Sequence, residues 1–402
     1  MLSQALDNIR VLDLSRILAG PWCTQNLADL GADVIKVERP GQGDDTRKWG
    51  PPYLQSQDGE DTLSAYFTCC NRNKRSICLD FSHADDRRAL LDLVRSADVL
   101  VENYKSGTLK RYGLDYDSLK ALHPGLVYVS ITGYGQDGPK ATQPGYDYIF
   151  QGMGGLMGYT GVADGEPGAG PLRAGIPVVD ISTGMYATSA VLAALLQRTR
   201  TGQGAHLDIA LLDVAVAINA NQGANYLVSG RNPQRSGNAH PNLAPYEVFK
   251  ARDGFFILAV GNDGQFAKLC ALCGDPGLAQ DPRFATNTAR LQNLPALRET
   301  LGRIIALHDR AYWTDGLEQA GIAWGPVNSL DEVFADEQVR HRALLRHAPH
   351  PRFGEIPLVR NPMLAGDAAT PMRPPPLMGE HTREVLVETC ARDRATVPPP
   401  AA

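Results

Sequence analysis

Apolar positions in the first half of the chain switch between two periods. Short apolar runs at residues 8–15, 32–38, 75–80, 98–102 and 126–131 have the length and β-branched content of buried strands. Between them lie segments with helical spacing. A turn over 17–22 opens a helix that runs to Leu30 and stops at Gly31, with Pro21 suited to its first turn. Helices are also predicted over 83–96 and 117–122. Strands alternating with helices predict an α/β fold with a parallel, doubly wound sheet. Later, the short apolar run 176–179 ends on a lone carboxylate, Asp180. A small-residue turn follows, then an Ala/Leu-rich helix over 185–196. Asp180 is thus expected where an extended segment enters a helix, a place that favours negative charge. On position alone it fits an N-cap.

The pattern changes further on. A strand over 205–209 and a helix over 211–227 lead into the polar loop 229–242. Two antiparallel strands, 245–249 and 254–260, are expected to join at Asp253-Gly254, followed by helices over 265–272, 286–307 and 311–320. From about Asp331 the chain reads as irregular until a last helix over 384–391, and residues 396–402 read as disordered. The predicted organisation is a large doubly wound domain over 1–200, a linker helix over 201–228, a smaller α+β domain over 229–330 and a C-terminal segment over 331–402.

Composition narrows the function. At 402 residues the chain exceeds one ordinary core, and its net charge of −5 disfavours broad nucleic-acid or membrane-surface binding. The N-terminus lacks the basic start and apolar stretch of a secretory signal. Seven irregularly spaced cysteines fit reduced thiols, so a cytoplasmic protein is expected. Cys270-Ala-Leu-Cys273 has no second ligand pair nearby, and no metal is expected. Gly133-Tyr-Gly135-Gln-Asp-Gly138 follows a strand, but Pro139 and Pro144 disfavour the helix that a nicotinamide site requires.

Four polar stretches fall at predicted strand ends, where open parallel sheets bind ligands. They are Arg16-Ile-Leu-Ala-Gly-Pro21 with Val37-Glu-Arg39-Pro40, Asn73-Lys-Arg-Ser76 leading to Leu79-Asp80, Glu102-Asn103-Tyr104-Lys105-Ser-Gly107 with Arg111, and Gly145-Tyr146-Asp147-Tyr-Ile-Phe-Gln151. Arg39, Lys105 and Arg111 are cations suited to a polyphosphate.

In this order these stretches, with Arg173–Met185 and Arg373-Pro-Pro-Pro-Leu-Met-Gly-Glu-His381, resemble the family III CoA-transferases (CaiB/BaiF type), to which the α-methylacyl-CoA racemases are related. The resemblance implies a Rossmann-like large domain, a small domain, a C-terminal segment that returns to the large domain, and an interlocked, ring-like homodimer. It implies that Asp180 is the nucleophile, carrying first the acyl group and then CoA. It makes Leu18, Ala19, Arg39, Leu79, Asp80, Asn103, Tyr104, Lys105 and Arg111 CoA-contacting positions and puts Tyr146 beside the thioester. The loop Gly237-Asn238-Ala-His240-Pro stands where the family has a mobile glycine-rich loop. Coenzyme A is then substrate and covalent intermediate, with an acyl-CoA donor and a free carboxylate acceptor. The C-terminal half resembles the branch handling dicarboxylates, the succinyl-CoA:glutarate (hydroxymethylglutarate) type, with Arg173 or His240 as candidates to hold the far carboxylate. Leu18 replaces the glutamine of formyl-CoA transferase, which argues against formyl transfer to oxalate. Racemisation requires a histidine where this chain has Tyr146, and a phenol with a reference pKa near ~10 is a poor substitute. A CoA-ester-binding protein without turnover would keep the cations but have no use for a free carboxylate at position 180.

Overall fold

The computed structural model describes residues 2–364 and 371–396. The chain divides into two compact units. One comprises Met1–Leu156, Ala174–Ala220 and Glu337–Ala402, the other Met157–Arg173 and Asn221–Asp336.

The first unit is built on six strands: β1 (Arg10–Asp13), β2 (Asp33–Glu38), β3 (Arg75–Cys78), β4 (Val99–Glu102), β5 (Val127–Thr132) and β6 (Ala205–Ala210). They lie in the order β3-β2-β1-β4-β5-β6, and every pairing is parallel. The strand order reverses between β1 and β4, so a crevice opens beyond their carboxyl ends. Successive residues alternate between two cores, as the strand period demands. Val11, Val34, Val99 and Val127 face α1 (Ala19–Asp29) and α5 (Val178–Thr201), where Leu27, Ala187 and Val191 are buried. Leu12, Ile35, Leu100 and Tyr128 face α2 (Ala84–Arg95) and α3 (Tyr116–Leu122) through Leu90, Leu93 and Leu119. Helix α4 (Asp147–Met153) lies between β5 and α5 in sequence. By length and composition alone α5 is apolar enough to cross a membrane, but Val179, Ala187, Val191 and Leu195 lie in the sheet's core.

Several expectations are corrected. The apolar run before Asp180 is not a strand: Ile176 is exposed and α5 already starts at Val178, because Pro177 supplies the fixed φ that opens a helix. Asp180 is therefore the third residue of the helix and not its N-cap, which is Pro177. The expected single helix over 211–227 is two, α6 (Leu211–Ala217) and α7 (Ala220–Ser229). The break falls at Asn219, whose amide donates to the carbonyls of Ala215, Val216 and Gly154, and at Ala220, which has φ +45°. The stretch after Asp331 is not irregular. It holds helices Leu330–Ala335 and Glu337–His341 and an antiparallel hairpin, Leu345–His350 with Gly354–Val359. Pro349 and Pro357 disguise those strands in the sequence. The hairpin buries Ala348, Ile356 and Leu358 against Leu63 and Phe67.

The last helix, Thr382–Thr396, is anchored to the sheet. Val385 enters the core beside Leu12 and Ile35, while Arg75 reaches Glu384 at 2.8 Å and Glu388 at 3.0 Å. Beyond Thr396 the tail expected to be disordered lies outside the described residues.

The second unit has β7 (Tyr246–Lys250) and β8 (Phe255–Ala259) as expected, plus a third antiparallel strand, β9 (Ala323–Pro326). Its Gly-Pro ending marks an edge strand and hides it from a propensity reading. Helices Asp263–Leu272, Leu294–Ile305 and Arg310–Ala320 close over Phe256, Leu258, Phe266, Leu301 and Trp313. The helix expected over 286–307 breaks at Asn293, with Pro295 in the first turn of the second piece.

Candidate active site

Five of the six strands deliver their polar sequels to one edge. After β1 come Arg16–Ala19, after β2 Arg39, after β3 Leu79 and Asp80, after β4 Asn103–Lys105, and after β5 the loop that reaches Tyr146. Two cavities lie there. One, of about 250 Å³, is bounded by Leu18, Ala19, Asn103, Tyr104, Lys105, Tyr146 and Asp180. The other, of about 310 Å³, is bounded by Arg39, Leu79, Asp80, Phe81, Tyr104 and Tyr112. Arg16 and Tyr104 line both, so the cavities adjoin along the β1–β4 crevice.

The crevice is held by specific bonds. The Asn103 side chain accepts from the Arg16 N–H at 2.8 Å and donates to the Arg16 carbonyl at 2.7 Å. Ile17 adopts φ +73°, a left-handed conformation costly for a β-branched residue, ~1–3 kcal/mol. Its N–H is held by the Asp44 carboxylate at 3.2 Å, and Asp44 is in turn locked by the fully buried Lys36 at 2.8 Å. Lys36 also donates to the Ser15 carbonyl. This strained turn starts α1 and carries Leu18 and Ala19 into the cavity wall. Gly184 lets α5 lie against that wall: a Cβ there would stand 2.7 Å from the Ala19 carbonyl.

Asp180 lines the cavity from the first turn of α5. Among the described residues none donates a hydrogen bond to its carboxylate. Burial, followed by the nearby Asp147 carboxylate, pushes its pKa up to about 7. Asp147 is itself buried. It accepts the N–H groups of Val179 at 2.8 Å and Asp180 at 3.1 Å. Tyr66, half-buried, has its phenol pushed up by burial and then by the charge of Asp180, so it too lies near the nucleophile candidate.

The expected CoA-contacting residues divide by place. Leu18, Ala19, Asn103, Tyr104, Lys105 and Tyr146 line the same cavity as Asp180, whereas Arg39, Leu79 and Asp80 line the adjoining one. Arg39 approaches Asp80 at 3.4 Å, and Ser82, followed by Arg39, holds the Asp80 carboxyl below its ordinary value. Arg111 sits exposed in the turn Leu109–Tyr112 and lines neither cavity. Arg173, Gly237, Asn238 and His240 belong to the second unit. There the 236–240 loop is tied down: Gly237 donates to the Gly161 carbonyl at 3.1 Å, and His240 donates to the Tyr246 carbonyl at 2.9 Å. The His240 ring stacks on Tyr246, and its Nδ1 accepts the Asn242 N–H at 3.1 Å. Arg16, Asp147 and Gln151 stand in stretches expected at the ligand edge but have no role of their own in that expectation, and Tyr66 is not expected at the site at all. Asp147 and Gln151 are four apart, the spacing that places two side chains on one helix face; nothing in the sequence singles out Tyr66. Burial raises the Cys270 and Cys273 thiols to about 11 and about 12, which leaves the C-x-x-C pair unreactive at neutral pH.

The chain is similar throughout its length to proteins already known. A succinate–glutarate CoA-transferase from Agrobacterium fabrum is 48% identical over 396 residues, covering 98% of each chain. A succinyl-CoA:glutarate CoA-transferase from Mus musculus is 42% identical over 396 residues, covering 98% of this chain and 88% of the relative. The crystal structure of a CaiB/BaiF family protein from Brucella suis superposes with a TM-score of 0.83 at 46% identity, covering 95% of this chain and 98% of that one. The pattern that defines CoA-transferase family III matches residues 6–382. A Rossmann-ordered sheet with its polar loops at the switch point, and a family match that spans nearly the whole chain, lead to one assignment: the chain belongs to CoA-transferase family III.

Proposed function

We propose that the protein moves CoA from succinyl-CoA to glutarate, with Asp180 as the nucleophile. One observation carries this above all. A carboxylate with no hydrogen-bond donor among the described residues is held in a cavity at the switch point, with its pKa raised to about 7. Such a group costs stability, and a protein that only bound CoA esters would gain nothing from it. A poorly solvated carboxylate is a better nucleophile, and a thioester offers it a stabilised thiolate leaving group.

In the first step an Asp180 oxygen attacks the thioester carbonyl, forming an aspartyl–succinyl anhydride and expelling CoA thiolate. The thiolate then attacks the Asp180 acyl carbon, giving an aspartyl-CoA thioester and free succinate. Glutarate attacks that thioester to form an aspartyl–glutaryl anhydride, again releasing thiolate. Thiolate attack at the glutaryl carbonyl yields glutaryl-CoA and restores Asp180. Because CoA stays bound, each return of the thiolate is effectively intramolecular, with effective concentrations of up to ~10⁵–10⁸ M.

The cavity bounded by Arg39, Leu79 and Asp80 suits the nucleotide end of CoA, and the adjoining Asp180 cavity suits the thioester. Lys105 supplies positive charge in the Asp180 cavity, Arg16 supplies it where the two cavities adjoin, and Arg111 acts at longer range. Tyr146 packs beside the thioester. For the far carboxylate of glutarate the candidates are Arg173 and His240. With Nδ1 accepting from Asn242, His240 carries its proton on Nε2 and can donate there; Gly237 and Asn238 belong to the same loop. The names of the relatives from A. fabrum and M. musculus support this donor and acceptor. A homodimer belongs to the same proposal, motivated by Ile176, Met185, Tyr186 and Leu196, which α5 and the residues before it leave exposed. So does a reducing, cytoplasmic setting, consistent with six free cysteines among the described residues.

The test is transfer of labelled CoA from succinyl-CoA to glutarate, set against butyrate as acceptor. Efficient glutarate transfer with little butyrate transfer supports the proposal. Equal use of both overturns the dicarboxylate assignment, and no transfer to any acid overturns the activity.

A further inference from the structure

Helix α5 begins without a side-chain cap, since its N-cap is Pro177, yet its first-turn N–H groups are all satisfied. Val178 donates to the Ile176 carbonyl at 2.8 Å, and Ile181 to the Pro177 carbonyl at 3.0 Å. The two between them, Val179 and Asp180, both donate to one oxygen of Asp147, thirty-odd residues back on α4. The other Asp147 oxygen accepts from the Gln151 amide at 2.6 Å. Gln151 in turn accepts the Ala174 N–H at 2.8 Å and donates to the Ile176 carbonyl at 3.3 Å. Both side chains are buried. One turn of α4 thus grips the 174–180 segment at four backbone points.

The grip has a chemical consequence. A helix N-terminus ordinarily offers its free N–H groups to any carboxylate in the first turn, which stabilises the anion and weakens it as a nucleophile. Here those groups are taken, so none remains for the carboxylate of Asp180. We propose that Asp147, braced by Gln151, is a positioning residue for the transfer reaction: it consumes the helix-terminal N–H groups and fixes the backbone of Asp180, so that the nucleophile faces the cavity unencumbered. This rests on Asp180 being the nucleophile.

The test is the rate at which the CoA adduct forms on Asp180 in the full-length enzyme after mixing with succinyl-CoA, followed by intact-protein mass spectrometry. Asp147→Asn keeps an oxygen for the two N–H groups but sets an amide donor against the Gln151 amide. Adduct formation is expected to slow at least tenfold, with the Kd for succinyl-CoA within threefold of wild type. The double variant D147N/Q151E restores a donor–acceptor match between the two side chains and is expected to recover at least threefold. Should Asp147→Asn fail to fold, Gln151→Ala removes the brace and its bonds to Ala174 and Ile176 while leaving Asp147 on the Val179 and Asp180 N–H groups, and is expected to slow the adduct at least threefold. Adduct formation at the wild-type rate in the folded variants, or a loss confined to succinyl-CoA binding, would overturn the proposal. A wild-type enzyme that forms no adduct would overturn it together with the nucleophile assignment.

Discussion

Replacing Asp180 by Asn should make the protein more stable at alkaline pH, by an amount set by the site itself. The carboxyl ionises at 3.8 in the unfolded chain and at about 7 when folded, through burial and then Asp147. Below 3.8 both states carry the proton and the group is neutral in the balance. Between 3.8 and 7 the unfolded state loses its proton first, so stability falls as pH rises. Once the pH passes the folded value, the loss is complete. At 1.36 kcal/mol for each tenfold change in proton affinity, the penalty is about 4 kcal/mol at pH 8 and less than half of that at pH 5. Asn is nearly isosteric, cannot ionise and leaves intact the backbone bonds of Val179 and Asp180 to Asp147. Urea titrations of both proteins at the two pH values measure the difference directly. The expected gain for Asp180→Asn is about 4 kcal/mol at pH 8, falling by more than half at pH 5. A variant no more stable than wild type at pH 8, or a gain that does not change with pH, would refute the electrostatic account.

Other consequences follow from the same geometry. Because only ionised Asp180 attacks, single-turnover transfer should fall about tenfold for each pH step below 7; a profile flat to pH 5 would exclude that carboxylate as the attacking group. Arg173→Ala should erode the preference for glutarate over butyrate by ~1.5–3 kcal/mol, measured as the ratio of kcat/KM values. If the ratio is unchanged, Arg173 is not the anchor. Arg47→Met strips the buried Glu38 of a partner at 2.6 Å and breaks a bond to the Pro376 carbonyl, so it should cost ~3–5 kcal/mol of stability at neutral pH. Burial pushes the Glu38 carboxyl up, but Arg47, Lys36 and Ser76 hold it below its ordinary value. That stabilisation is present above pH 4.5 and lost as pH falls, so the gap between wild type and variant should close in acid.

The sheet was legible because its strands, β6 apart, are buried on both faces and read as short β-branched runs, while the helices between them carry clear turn signals such as Pro21 and Gly31. The ligand edge followed from topology: parallel strands bring Arg16, Arg39, Asp80 and Asn103 to one side wherever they occur in sequence. What the sequence hid depends on contacts between distant segments. The capping of α5 by Asp147 pairs residues more than thirty apart, and local propensity assigned that role to Asp180 itself. The break at Asn219 is likewise made by a bond to the Gly154 carbonyl. The hairpin near the C-terminus escaped notice because its prolines are tolerated only on a two-stranded ribbon with free edges. Tyr66 comes near Asp180 only through the packing of a short helix that has no periodic signal.

The measurement closest to the central claim is mass analysis of the enzyme after brief exposure to succinyl-CoA without acceptor, followed by peptide mapping. The mechanism predicts a CoA-sized adduct on the peptide containing Asp180, discharged by glutarate as glutaryl-CoA forms and absent from Asp180→Asn. An Asp180→Ala enzyme that still transfers CoA, or an adduct that maps elsewhere, would contradict it.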